Sequence, residues 1–330
     1  SPQTITAKLD VTGTYKTQYL LTVRTNGLPN PYTTSVSVGG TPTTDDFGVS
    51  TINDASANGW RKWFDASPSS TGTIGVDSPV ADGTGTQYVF KDWSDASTDN
   101  PHASLTLTGP LTLTVNYKTQ YQVSFHQIGL DSDAGSNTVL TVGSTTYVYS
   151  DFPVDDIWVD KDTAFTWEST VSGGPGKQFV KTGESGLTSP IIASGTSTAT
   201  YKTQYEITVT ADPIGAVGGS FKVTYTKCGT TYTGVSETTP WTDWADAGYD
   251  AIVSDPQYTI PSTMYKFDHY DPSNTVTMNG PRIITLVYIE LPYSAVTTSS
   301  LCPFDTDKNP ANGQQFNLLF TRDITDLTKY

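Results

Sequence analysis

The chain has 330 residues, with 18 Lys and Arg against 33 Asp and Glu, a net charge of −15 and only 15% charged residues. That balance excludes a binder of nucleic acid, which needs clustered Lys and Arg to meet the phosphates. No apolar run approaches the roughly 18 residues of a membrane span, and no window has the i, i+3, i+4, i+7 spacing of an amphipathic helix. Thr, Ser, Gly and Tyr are plentiful, as in short strands joined by polar turns, so the expected fold class is all-β.

Taken in chain order, residues 1–14 place Ile5, Ala7, Leu9 and Val11 on odd positions, the period-two pattern of a half-buried strand. The phase continues unbroken through Tyr15, Thr17, Tyr19, Leu21 and Val23 of TYKTQYLLTV (14–23). The pentapeptide YKTQY returns unchanged at 117–121 and 201–205. Downstream of each copy lies a Trp-x-Asp, at Trp63–Asp65, Trp158–Asp160 and Trp244–Asp246, starting 48, 41 and 43 residues after the first Tyr. An aromatic strand follows, as YVFKDW (88–93), the weaker KQFV (177–180) and MYKFDHY (264–270). A Pro-led closing strand ends each unit: GPLTLTVNY (109–117), SPIIASGTSTATY (189–201) and GPRIITLVY (280–288).

Periods of 102, 84 and about 87 residues suit whole β-sandwiches rather than solenoid units. The expected organisation is an orphan strand at 1–14, sandwiches at 15–116, 117–200 and 201–288, and an incomplete β unit at 289–330. YKTQY contains neither Gly nor Pro, so each closing strand is expected to run straight into the next opening strand. Such a joint would be stiff, unlike a Gly/Ser linker. The repeated Trp63, Trp158 and Trp244 are expected to be core anchors, since a buried Trp dominates the stability of a small sandwich.

The succession is carried by WFDAS, WVDKD, WADAG, GPLTLTVNYKTQYQV and SPIIASGTSTATYKTQYEITV over residues 15–288. It resembles the tandem repeats of large secreted surface proteins of archaea, among them S-layer-associated and pilus-like proteins and the tails of some secreted proteases. The resemblance implies tandem Ig-like sandwiches and an extracellular, cell-surface setting, and it supplies no catalytic residue. The second repeat departs most from the pattern, in its aromatic strand.

The two ends suggest how copies could join. Residues 1–14 read as a closing strand with no sandwich before it, and 289–330 as about half a sandwich, containing the strand-like QQFNLLF (314–320). A free strand with one apolar face is an aggregation hazard unless it is paired, and adding it to a neighbour's incomplete sheet is one known solution. The expectation is a head-to-tail homopolymer, a pilus-like filament or surface lattice, in which Ile5, Ala7, Leu9 and Val11 insert into residues 289–330 of another copy. A strand folded back on its own chain, or a piece cut from a longer stalk, would carry the same sequence. The start at Ser1 fits a chain whose signal peptide has been removed and equally a trimmed one.

No sequence motif for catalysis is present: G-x-S-x-G, H-E-x-x-H, P-loop and Cys-x-x-Cys are all missing, and an enzyme is not expected. Calcium is the one cofactor the spacing admits, at Asp305, Asp307 and Asn309, and more weakly at Asp131, Asp133 and Asn137. Cys228 and Cys302 could form one bridge in an oxidising compartment. The competing reading is an adhesin that stacks surface polysaccharide on exposed Trp60, Trp93 or Trp241.

Overall fold

A computed structural model describes residues 12–66, 69–213, 220–257 and 265–290. The fold is all-β, and the helical turns among the described residues are two short 3-10 segments, Ser132–Ala134 and Tyr149–Asp151. Ile5, Ala7, Leu9 and Val11, the Asp305–Asn309 loop and Cys302 lie outside the described residues.

One large sheet runs through all three repeats. In each repeat its partner layer is a separate small sheet. These are built around Thr34–Val38, Thr138–Val142 and Ser220–Lys227, respectively. Three buried clusters fill the spaces between the layers. The first includes Leu21, Trp60, Trp93 and Leu113; the second Phe125, Phe165, Trp167 and Phe179; the third Val209, Phe221, Val253 and Leu286.

Two strands give the large sheet its continuity. Leu111–Ile128 and Gly195–Asp212 each run for 18 residues without a break, about 60 Å at a strand's rise per residue. The front half of each closes one sandwich and the rear half opens the next, with YKTQY in the middle. The alternation seen in the sequence is thus the alternation of one physical strand, as expected for a stiff joint.

Within every repeat the opening strand lies parallel to its own closing strand. Leu21–Asn26 pairs with Leu111–Asn116, Val123–Ile128 with Gly195–Thr200, and Ile207–Asp212 with Arg282–Val287. Gly27 and Gly129 end two of the opening strands at φ +86° and +96°. A Cβ there would sit 2.4 and 2.1 Å from the carbonyl oxygens of Tyr117 and Tyr201, so only glycine lets the chain turn this close to the joint. The KQFV segment belongs to a ten-residue strand, Lys177–Gly186, paired along the closing strand with one irregularity at Thr182, as the aromatic strands of the other two repeats are with theirs.

The tryptophans reverse the expectation. Trp60 and Trp93 are fully buried, each indole N–H donating to a backbone carbonyl, of Thr43 at 2.8 Å and Asp99 at 2.9 Å. Trp241 packs on the third core against Phe221 and Tyr225. The repeated Trp63 and Trp158 are instead 46% and 38% exposed, and Trp244 is half-buried. The reason is strand parity: Trp63 pairs with outward-facing Leu20, whereas Trp60 pairs with the buried Val23. The residues offered as a sugar platform are therefore core, and the supposed core anchors lie on the outer face.

Replacing Trp60 with Ala is expected to cost about 3–5 kcal/mol, whereas Trp63→Ala should cost less than about 1 kcal/mol. Urea unfolding followed by circular dichroism measures both; equal losses would contradict the assignment of faces.

Candidate functional site

The site that repeats is the joint. Period two sends Tyr, Thr and Tyr of YKTQY to the inner face and Lys and Gln to the outer face. The first Tyr anchors in the sandwich before the joint. Tyr117 is in the first core, where its hydroxyl donates to the Asp77 carbonyl at 2.8 Å and also meets Thr34 Oγ1 at 3.0 Å. Tyr201 is in the second core and donates to the Glu168 carbonyl at 2.8 Å. Burial pushes both phenols well above their ordinary pKa. The second Tyr packs on the sandwich after the joint: Tyr19 on the first core, Tyr121 on the second, Tyr205 on the third.

On the outer face Lys and Gln meet the Asp of Trp-x-Asp from the following sandwich. Gln18 Nε2 donates to Asp65 Oδ1 at 3.0 Å, Gln120 to Asp160 at 2.7 Å and Gln204 to Asp246 at 2.8 Å. The lysine ammonium lies over the other carboxylate oxygen, at 3.1, 2.9 and 3.8 Å for Lys16, Lys118 and Lys202. The backbone N–H after each Asp closes the clamp by donating to the Thr carbonyl of the pentapeptide. Ala66 reaches Thr17 at 2.8 Å, Lys161 reaches Thr119 at 2.9 Å and Ala247 reaches Thr203 at 2.9 Å.

The glutamine also looks backwards. Gln87 Nε2, from the preceding sandwich, donates to Gln120 Oε1 at 2.8 Å, and Gln178 donates to Gln204 at 2.9 Å. Each of these joints is thus a Gln–Gln–Asp relay that ties the strand before the joint to the strand after it. The clamps differ in depth. Asp246 is buried and also accepts the N–H groups of Cys228 and Gly229 at 2.8 and 2.7 Å, whereas Asp65 and Asp160 remain partly exposed.

Hydrogen bonding from Gln18, then from Lys16, holds the Asp65 carboxyl below its usual range. At Asp160 desolvation opposes the charge, but Gln120 and Lys118 outweigh it and the pKa is again lowered. A depressed carboxylate contributes stability above its unfolded value of about 3.9 and loses it as pH falls through the folded value. The first two clamps are therefore fully formed at mildly acidic pH.

The first joint is incomplete. Its clamp to Asp65 is formed, but Tyr15 is 94% exposed, where Tyr117 and Tyr201 are buried. In the ladder Gln18 pairs with Asp65 alone among the described residues, and no strand occupies the side where Gln87 and Gln178 sit at the other joints.

In the weaker of the two calcium loops one ammonium already bridges the two carboxylates. Lys177 Nζ lies 2.7 Å from Asp131 Oδ2 and 2.6 Å from Asp133 Oδ2, and the Asn137 amide donates to the Ala134 and Ser172 carbonyls. An ammonium thus occupies the place where a cation would sit. No cluster of three metal-binding side chains occurs among the described residues. Cys228 is exposed at a left-handed turn and has no disulfide partner among the described residues.

Among the histidines, His102 alone is buried, edge-on to Trp93, with Nδ1 2.7 Å from the Ala103 carbonyl and Nε2 2.7 Å from Asp95 Oδ2. Desolvation works against the charge, but both ring nitrogens face acceptors, and the pKa is raised above its ordinary value. This is the geometry of a structural ion pair.

No family model matches the chain, and no curated protein matches it. Solved structures similar to parts of it include the pilus adhesin SpaC from Lactobacillus rhamnosus GG, at 13% identity and a TM-score of 0.22. That likeness covers 84% of this chain, which spans 44% of the adhesin. The major pilin SpaD from Corynebacterium diphtheriae gives 12% identity over 84% of this chain and 98% of the pilin, with a TM-score of 0.23. A streptococcal ancillary pilin gives 12% over 85% and 97%, with a TM-score of 0.17. Likeness at this level carries no function across.

Two outcomes follow from the joint and from His102. Gln204→Leu removes a donor from buried Asp246 and an acceptor from Gln178, and should cost about 1–3 kcal/mol, more than Gln18→Leu at the exposed joint, measured by urea unfolding. His102, with its raised pKa, contributes stability that is full below about pH 6.5 and lost as pH rises through the folded value. Thermal melts should show that decline, and His102→Gln should abolish it.

Proposed function

We propose that the chain is a structural subunit of an extracellular, pilus-like filament or surface lattice, growing head to tail as residues 1–14 of one copy complete a neighbouring copy. The observation that carries this reading is the unfilled first joint. Three joints share one sequence and one clamp. Tyr117 and Tyr201 are buried in a preceding sandwich, while Tyr15 is 94% exposed among the described residues. A phenol built to be buried, on a strand whose phase continues back through Val11, Leu9, Ala7 and Ile5, calls for a sandwich on its N-terminal side. Burying those aliphatics would contribute roughly 1.5–3 kcal/mol for each large side chain, alongside the main-chain ladder.

The geometry of the joint supports assembly as well. A subunit joined to the next through the same 18-residue strand would continue the spacing and stiffness of its internal joints along the polymer. The contact is heterologous, which gives an open fibre unless the rotation closes. The acidic surface, with its net charge of −15, suits a soluble extracellular protein.

Negative-stain microscopy of the full chain and of a variant lacking residues 1–13 tests this reading. Long periodic assemblies are expected from the first, and single particles from the second. Ile5→Asp with Leu9→Asp should mimic the deletion without shortening the chain. Unchanged filaments from either variant would overturn the proposal.

A further inference from the structure

The filled joints define what the first joint lacks. At the second joint the neighbouring strand runs antiparallel with Gln87 opposite Gln120, Tyr88 opposite Thr119, Val89 opposite Lys118 and Phe90 opposite Tyr117. At the third the same register places Gln178 opposite Gln204, Phe179 opposite Thr203, Val180 opposite Lys202 and Lys181 opposite Tyr201. The recurring element is a Gln followed by an aromatic residue. The Gln completes the amide relay and the aromatic residue enters the core, as Tyr88 and Phe179 do.

Gln followed by an aromatic residue occurs seven times in the chain, at 18, 87, 120, 178, 204, 257 and 315. Three of these are the YKTQY copies themselves, and Gln87 and Gln178 serve two of them. Gln257 ends the strand Asp250–Gln257 in the small sheet of the third repeat, opposite Ser220. That leaves Gln18, which among the described residues has no partner strand on the side where Gln87 and Gln178 sit, and the Gln315-Phe316 pair in QQFNLLF, which lies outside the described residues. The chain cannot meet this need directly after its third sandwich, because Ile289 and Leu291 stand where a fourth joint would have its Lys and Gln.

Resting on the proposed head-to-tail assembly, we infer that segment 314–320 of a second copy is the strand that receives the first joint. It runs antiparallel to residues 15–18, with Gln315 opposite Gln18, Phe316 opposite Thr17, Asn317 opposite Lys16 and Leu318 opposite Tyr15. Gln315 donates to Gln18 Oε1, which extends the relay across the subunit boundary to Asp65. Phe316 and the donated apolar side chains build the core in which Tyr15 is buried.

Cysteine pairs test the register in the full chain with Cys228→Ser and Cys302→Ser. Two single variants, Lys16→Cys and Asn317→Cys, are mixed and oxidised, and the double variant is oxidised alone. The mixture should give a disulfide-linked dimer of one chain of each kind, and the double variant a ladder of multimers on a non-reducing gel. Lys16→Cys with Leu318→Cys, one residue out of register, should give neither. A cross-linked monomer without a ladder would mean that the strand folds back on its own chain, and would overturn the inference. Filaments by microscopy without the in-register cross-link would overturn the receiving segment alone and leave head-to-tail assembly standing. Loss of both filaments and cross-link in the full chain would overturn both.

Discussion

The architecture depends on one constraint: a β-strand that passes from one sandwich to the next without leaving the sheet. A strand can do this only if its inward side chains suit two different cores and its outward side chains have partners on both sides. YKTQY meets both demands in five residues. The two tyrosines, four residues apart, face the same way and enter successive cores. The Gln between them can donate and accept at once, which lets it sit between Gln87 and Asp160, or Gln178 and Asp246. Replacing the Gln at either filled joint would disturb two sandwiches together.

The Lys and the Thr carbonyl complete the grip on the following strand, and the clamp is enclosed at the third joint but open to solvent at the first two. At Asp65 and Asp160 solvent reaches the carboxylate, and the ion pair is of the weak, exposed kind. At Asp246 two backbone N–H groups replace water, so the charge is buried with its hydrogen bonds intact. That difference makes the third joint the one most sensitive to loss of its carboxylate.

Much of this was legible in the sequence because period two is a strong signal over long strands. The alternation from Leu111 to Phe125 read directly as one strand, and so did its passage through the joint. The outer face was harder to read. Trp and Asp in Trp-x-Asp are two residues apart and so share a face, and the Asp faces Lys and Gln. The exposed position of Trp63 and Trp158 therefore follows once the partner strand is known, but register between strands 40 residues apart is not written in either one. The partner of the Asp131–Asp133 loop was hidden for a related reason. Its two carboxylates share the ammonium of Lys177, 46 residues from Asp131, and spacing within a loop says nothing of a distant lysine.

The parallel pairing of opening and closing strands has a mechanical meaning. A pull along the chain enters each sandwich at the start of one strand and leaves at the end of its parallel neighbour. The six paired residues between Leu21–Asn26 and Leu111–Asn116, and their counterparts in the other repeats, then carry the load in shear. All the hydrogen bonds between the two strands are strained together rather than peeled one by one. Such a protein behaves under tension as a cord of locked links, holding its length until a whole ladder gives way.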